Sequence, residues 1–342
     1  MGEPTGGVGV TVERYRPMMK AVVKQTEVSR ARYPAVDAHN HYDPNWDLSH
    51  VLDVMDQCNV RVFADLSGGS GEHLKRKLDL LKGSHPDRFA VFYVPQFERV
   101  SEPDFAEREP RAIQDAAAQG AQGVKVFKSL GLGVRDATGT LLAVDDPRLD
   151  PVWQAAGEAG LPVLIHVADP WAFFDPLDET NERLGELAEH PDWHFYGPQY
   201  PPLNDLLEAR DRVVERHPET TFIGAHVGSE VEDLDRASRL LDRCPNYVVD
   251  ISARFAELGR QPRRARQFIL DHQDHVLFGT DIGPDLPVYR NCFRILETDD
   301  ECFEYWGYPG QGIWPVAGLD LPDDVLRKVY ASNAERVVPG VR

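Results

Sequence analysis

Along the chain, short β-branched runs alternate with longer segments whose apolar positions recur at helical spacing. The runs are Ala35 to His39, Val60 to Leu66, Phe89 to Val94, Val124 to Lys128, Pro162 to Val167, Thr221 to His226, Tyr247 to Ser252 and Val276 to Thr280. Their entries share one punctuation, an apolar helix end, then Pro or Gly, then the strand, as in SHPDRFAVF, GLPVLIH, RHPETTFIGAH and RCPNYVVD. Such residues stop a helix and so mark where each strand begins. Most starts lie roughly 25 to 40 residues apart, the size of a β-plus-α unit. Eight such units predict an α/β fold, a single-domain (β/α)8 TIM barrel over residues 33–342, in preference to a doubly wound sheet. Residues 1–32, Gly-rich at MGEPTGGVGV and mixed in charge afterwards, read as an N-terminal arm or peripheral helix.

Two intervals break the rhythm. After the fifth run comes WAFFDPLDETNERLGELAEHPDWHFYGPQYPP, and after the eighth a stretch from Gly283 to about Gly318 carries Tyr289, Arg290, Phe293, Tyr305, Trp306, Tyr308 and Trp314. Both predict long loops on the C-terminal face of the barrel, where active sites sit. A packing cap or a dimer contact is the competing use for them.

Composition narrows the partners. The net charge of −19 disfavours nucleic acid and anionic membranes, so the expected partner is a small molecule. No apolar stretch approaches the roughly 18 residues of a membrane span, and the N-terminus lacks the layout of a signal peptide, which together suggest a cytoplasmic protein. Cys58, Cys244, Cys292 and Cys302 stand far apart without a CxxC pair and read as buried reduced thiols. No GxGxxG, Walker loop or GxSxG elbow occurs in a supporting context.

The candidate chemistry lies at the strand ends. In DAHNH, His39 and His41 are two apart, so along a regular strand both project to one face and can share a metal ion. His166 closes PVLIHVAD, His226 closes FIGAHVGS and Asp281 closes VLFGTD. Strand C-termini converge at one mouth of a barrel, where imidazoles and a carboxylate suit Zn2+ first and Mn2+, Fe2+ or Co2+ less selectively. GVKVFKSLG places Lys125 and Lys128 on opposite sides of a regular strand, so only one should face the interior. Arg254, just past the seventh run, could pair with a substrate carboxylate, and Arg290 is a second candidate. Trp171, Phe173 and Phe174 could wall a cyclic substrate or serve as core. Arg61 should sit at the opposite, stability face of the barrel, and His85, His190 and His217, each before a proline, read as helix-end residues.

This arrangement resembles the amidohydrolase superfamily, in the branch that includes aminocarboxymuconate-semialdehyde decarboxylase and related metal-dependent hydrolases. The likeness runs from about Pro34 to the closing SNAERVV. It implies one divalent metal held by His39, His41, His166 and Asp281, with His226 as general base or electrophile and Asp281 as a possible proton shuttle. It also places Lys125 at the position that in binuclear relatives is carboxylated and bridges two ions, and it leaves Lys128 to reach a substrate. A homodimer is implied by resemblance alone. Hydrolysis at a C=O or C=N centre by a metal-activated water is the first reading of the activity. Non-oxidative decarboxylation is the alternative, and a non-catalytic barrel stabilised by metal is the third.

Overall fold

In the computed structural model, which describes residues 20–342, each of the eight runs forms a strand. They are β1 (Ala35–Asn40), β2 (Val60–Asp65), β3 (Phe89–Tyr93), β4 (Gly123–Val126), β5 (Val163–Ile165), β6 (Phe222–Gly224), β7 (Tyr247–Asp250) and β8 (Val276–Leu277). Each pairs in parallel with the next, in the order β1 to β8. Between β8 and β1 the ring is joined by backbone hydrogen bonds from Ala38 to the Phe278 carbonyl (3.0 Å) and from Asp281 to the His39 carbonyl (2.8 Å). The Asp37 carboxylate adds to this seam by accepting from Thr280 Oγ1 and Tyr289 Oη, both at 2.7 Å. A (β/α)8 barrel is therefore the architecture.

Strand alternation sorts the side chains into two layers. Val36, Ala38, Val62, Ala64, Phe92, Leu164, Ile223, Val248 and Leu277 fill the barrel interior, while a larger cluster joins the outer strand faces to the helices. Ala334, Val337, Val338 and Val341 belong to the interior cluster, so the C-terminal segment plugs the end of the barrel opposite the strand C-termini. Arg61 pairs there with Glu335, as its place at the start of β2 predicts. The surrounding helices follow from amphipathic spacing and caps. In Leu234–Arg243 the buried residues are Leu234, Ala237, Leu240 and Leu241, one helical stripe, and the Asp233 side chain accepts from the Arg236 amide.

Several expectations need correction. The segment after β8 is not one loop, because Leu286–Glu297 is a helix whose Tyr289 and Phe293 are buried in the core; the long irregular stretch follows it. The segment after β5 contains the short turns Trp171–Phe174 and Pro191–Trp193 and the helix Leu184–Glu189. Of the cysteines, Cys58, Cys244 and Cys292 are buried, but Cys302 is exposed. Within the expected N-terminal arm, residues 20–32 form no helix: Thr26 is held by Asp300, and the Arg32 amide by Glu297. The remainder of the arm lies outside the described residues. Among those described, no helix is long and apolar enough to cross a membrane.

Candidate metal centre and cleft

The interior that is apolar lower down becomes polar in its top layer, where His39, Lys125, His166, His226 and Asp250 are all buried. Burying this many ionisable groups is costly unless each finds a partner. His39 Nδ1 lies 2.8 Å from Asp250 Oδ2, which assigns its proton to Nδ1 and leaves the Nε2 lone pair facing Asp281 and Lys125. His226 Nδ1 is 2.9 Å from the Ser252 carbonyl oxygen, so its Nε2 is likewise an acceptor, 3.5 Å from Asp281 Oδ2. Ser252 Oγ lies 3.0 Å from both Nδ1 atoms and ties the two rings together.

One ligand atom each from His39, His41 and Asp281 fall within 4.8 Å of one another. Two imidazoles and one carboxylate are a donor set that fits a divalent transition metal. His41 reaches the cluster from just beyond β1, with Nε2 3.2 Å from Asp281 Oδ1 and Nδ1 bonded to Ser67 Oγ at 2.7 Å. The two histidines do not share a face through simple alternation, because the β1 register breaks between Asp37 and Asn40. At the end of β2, Asp65 accepts from the Tyr42 and Ser67 amides and is neutralised by Lys77 at 2.9 Å, which fixes both the residue after His41 and the serine that holds its ring.

His166 stands apart from this cluster. Its ring meets that of His226 edge-on at 4.5 Å, yet its Nε2 faces the Ala168 carbonyl at 3.1 Å and Asp169 at 3.4 Å. Lys125 Nζ is 3.2 Å from His39 Nε2, deep in the barrel. Lys128 does not turn away, because β4 ends at Val126; it enters the cleft and pairs with Asp169. Trp171 lines a neighbouring groove with Phe174, Phe195 and Tyr196 rather than the cleft itself. Arg290 is also elsewhere, on the helix after β8, where its Nε donates to the Ser29 carbonyl.

Electrostatics follow from burial and these contacts. Desolvation lowers the His166 imidazole to about 4 and pushes His226 well below its ordinary value, so both are neutral at pH 7. It likewise lowers His41 and brings Lys125 down to about 8. Burial alone would raise Asp281, but the neighbouring His39, His41 and His226 hold its carboxylate well below the usual range.

The cleft above these residues encloses about 550 Å³ and is lined by Lys128, His166, Asp169, Phe173, Arg183, Trp193, His226, Arg254 and Asp281, among others. Arg254 is 6% exposed, and its only side-chain hydrogen bond among the described residues runs from one terminal nitrogen to the Ala253 carbonyl. Its Nε is buried without a partner, and it makes no ion pair among the described residues. Arg183, by contrast, is occupied by Glu186 and Glu257.

The backbone is unusual at three strand exits. His226, Ala253 and Asp281 have φ of 60°, 52° and 59°, and Val227 and Ser229 also lie in the left-handed region. For a β-branched valine this is a sterically costly conformation of the kind that clusters at functional sites.

Sequence reading missed Asp169, Asp250, Ser252, Trp193 and His190. His190, read as a helix-end residue, stacks on Trp193 at 4.1 Å in the cleft wall. A polar signal was present for Asp250 and Ser252, two positions apart at the end of an otherwise apolar strand.

A family model described as amidohydrolase matches residues 36–340. No curated protein matches the chain. Among solved structures, the chain is similar to a 2,6-dihydroxybenzoate decarboxylase from Rhizobium, at 17% identity and TM-score 0.57, covering 89% of this chain and 98% of that one. It is also similar to a dihydroxybenzoic acid decarboxylase from Polaromonas with bound manganese and 2-nitroresorcinol, at 14% identity and TM-score 0.57, covering 89% and 96%. A third similar structure is an amidohydrolase from Burkholderia multivorans with bound HEPES, at 14% identity and TM-score 0.54, covering 89% and 98%.

Proposed function

The chain belongs to the amidohydrolase family, and from that premise we propose that it is a metal-dependent, non-oxidative decarboxylase acting on a small carboxylated ring. The observation that carries this reading is Arg254, a buried cation in the cleft wall without an ion-pair partner among the described residues. Asp169, Glu232 and Glu186 stand near the guanidinium but none comes within ion-pair distance, and a substrate carboxylate would supply the missing bidentate partner. The decarboxylases to which the fold is similar act on hydroxylated benzoates, which carry such a group.

His39, His41 and Asp281 would hold one divalent cation, zinc by donor type or manganese as in the Polaromonas protein, and His166 would join them by turning its ring from Ala168. When bound, that cation would bind substrate oxygens and withdraw electron density from the ring. Lys125, brought down to about 8 by burial, would lose its proton more readily beside that cation.

His226 is neutral with its Nε2 lone pair facing the cleft. It can take the proton of a ring hydroxyl and return it to the ring carbon that bears the carboxylate. The carbon–carbon bond then breaks, its electron pair restores the aromatic ring, and carbon dioxide leaves. The phenolate product recovers a proton from water. Arg254 would orient the carboxylate, and Phe173 and Trp193 would flank the ring.

The neutral His226 also favours a second reading, hydrolysis, in which it deprotonates an attacking water. The deciding assay measures carbon dioxide release from a panel of hydroxybenzoates, beside a panel of amides and lactones, with zinc and with manganese. Turnover confined to the amides and lactones would overturn the decarboxylase reading.

A further inference from the structure

The exit of β6 is held from behind by a buried ionic group that does not line the cleft. Arg210, in the helix Leu203–Arg216 that precedes β6, is 0% exposed. One of its terminal nitrogens donates to the Gly228 carbonyl, inside the left-handed turn that carries His226. The other donates to Glu230 Oε2 at 3.1 Å and to Asp211 Oδ1 at 2.6 Å, and Nε also donates to Asp211. Glu230, 1% exposed, is held in turn by Arg236 at 2.6 Å.

Tyr247, at the start of β7, completes the support. Its ring lies 5.4 Å beneath the Arg210 guanidinium, and its hydroxyl occupies the space left by two glycines. A Cβ on Gly224 would come within 1.9 Å of that hydroxyl, and one on Gly228 within 2.4 Å. The turn from His226 to Ser229 has φ near 60° throughout, including β-branched Val227, and such a conformation persists only where surrounding contacts over-determine it.

We propose that Arg210, with Glu230 and Tyr247, is a positioning device that locks the β6 turn and so sets where His226 Nε2 stands over the reacting carbon. The proposal rests on the reading that His226 moves the proton. It predicts a separation that a merely stabilising ion pair would not give. Arg210→Met should lose roughly 10- to 100-fold in kcat with KM within about threefold, because a base displaced by a fraction of an ångström costs rate but not binding. Arg210→Lys, which keeps the charge without the planar fork, should recover part of the rate.

The readout independent of activity is the His226 Nδ1–H proton that donates to Ser252. In proton NMR of the full chain, identified by its absence in His226→Asn, it should be sharp in the wild type and shifted or broadened by exchange in both Arg210 variants. Metal content of the variants should match that of the wild type. An unchanged Nδ1–H resonance in folded Arg210→Met or Arg210→Lys overturns the proposal, as does a loss of kcat matched by an equal loss of metal. If the wild type turns over no member of either substrate panel, the proposed function fails, while the resonance still decides the positioning role.

Discussion

At the scale of single residues, the site separates groups by protonation. His226 and Asp281 lie 3.5 Å apart, yet one is held neutral and the other ionised. In the proposed mechanism this division would let His226 move a proton while Asp281 supplies charge to a cation. His226→Ala should therefore keep a full equivalent of metal but lose turnover by roughly 10²- to 10⁴-fold, checked by metal analysis beside the carbon dioxide assay. Loss of that equivalent would instead mean that His226 is a ligand. His166 gives a second test, made on the metal-free protein. Between the ordinary imidazole value of 6.5 and about 4, the unfolded chain accepts a proton at this site that the folded chain refuses. Its contribution to stability is thus complete above 6.5 and is lost as the pH falls toward 4, a change on the order of 3 kcal/mol. Urea unfolding of wild type and His166→Gln, compared at pH 7 and pH 4.5, should show the gap between them shift by most of that amount; a constant gap contradicts it.

At the scale of elements, the barrel is built so that its two ends serve different purposes, and this is testable at the closed end. Asn333 is 2% exposed and donates to the carbonyls of Gln273 and Val276, fastening the C-terminal plug to the entry of β8. Asn333→Ala strands two buried acceptors and should cost about 1–3 kcal/mol, read as a lower Tm with kcat per folded molecule unchanged. A fall in kcat would mean that the two ends are coupled. The same polarity explains what the sequence disclosed. The strand starts were legible to within a residue because Pro and Gly stop the preceding helix, as at Pro162 before Val163 and Pro245 before Tyr247. β1 runs one residue past its expected end, whereas the other seven strand ends were overrun, by up to three residues in β8, because the last residues of those runs leave the sheet. His226, Ala253 and Asp281 adopt left-handed turns that the alternation of apolar and polar positions does not reveal. His39 and Asp281 were visible from their positions at strand ends, whereas Asp169 and His190 were not, since only the folding of the β5 segment over the mouth brings them into the cleft. Arg290 failed for a similar reason: the chain after β8 is helical there, and its periodicity turns that residue toward Ser29.

At the scale of the whole molecule, the charge distribution sets the field through which a substrate arrives. The net charge of −19 surrounds a cleft in which Lys128 and Arg183 are already paired with Asp169, Glu186 and Glu257, so a carboxylated molecule would be repelled at long range and held only on contact with Arg254. Salt screens the two contributions unequally. The Debye length falls from about 30 Å at 0.01 M to about 8 Å at 0.15 M, which removes most of the distant repulsion, while the contact with buried Arg254 is screened far less. Raising ionic strength over this range should therefore increase kcat/KM for an anionic substrate by at least about twofold, and Arg254→Gln should lower kcat/KM at every salt concentration without removing that increase. Steady-state rates at several sodium chloride concentrations decide it. A fall in wild-type kcat/KM with salt would show that attraction to Arg254, rather than repulsion by the acidic exterior, governs the approach of the anion.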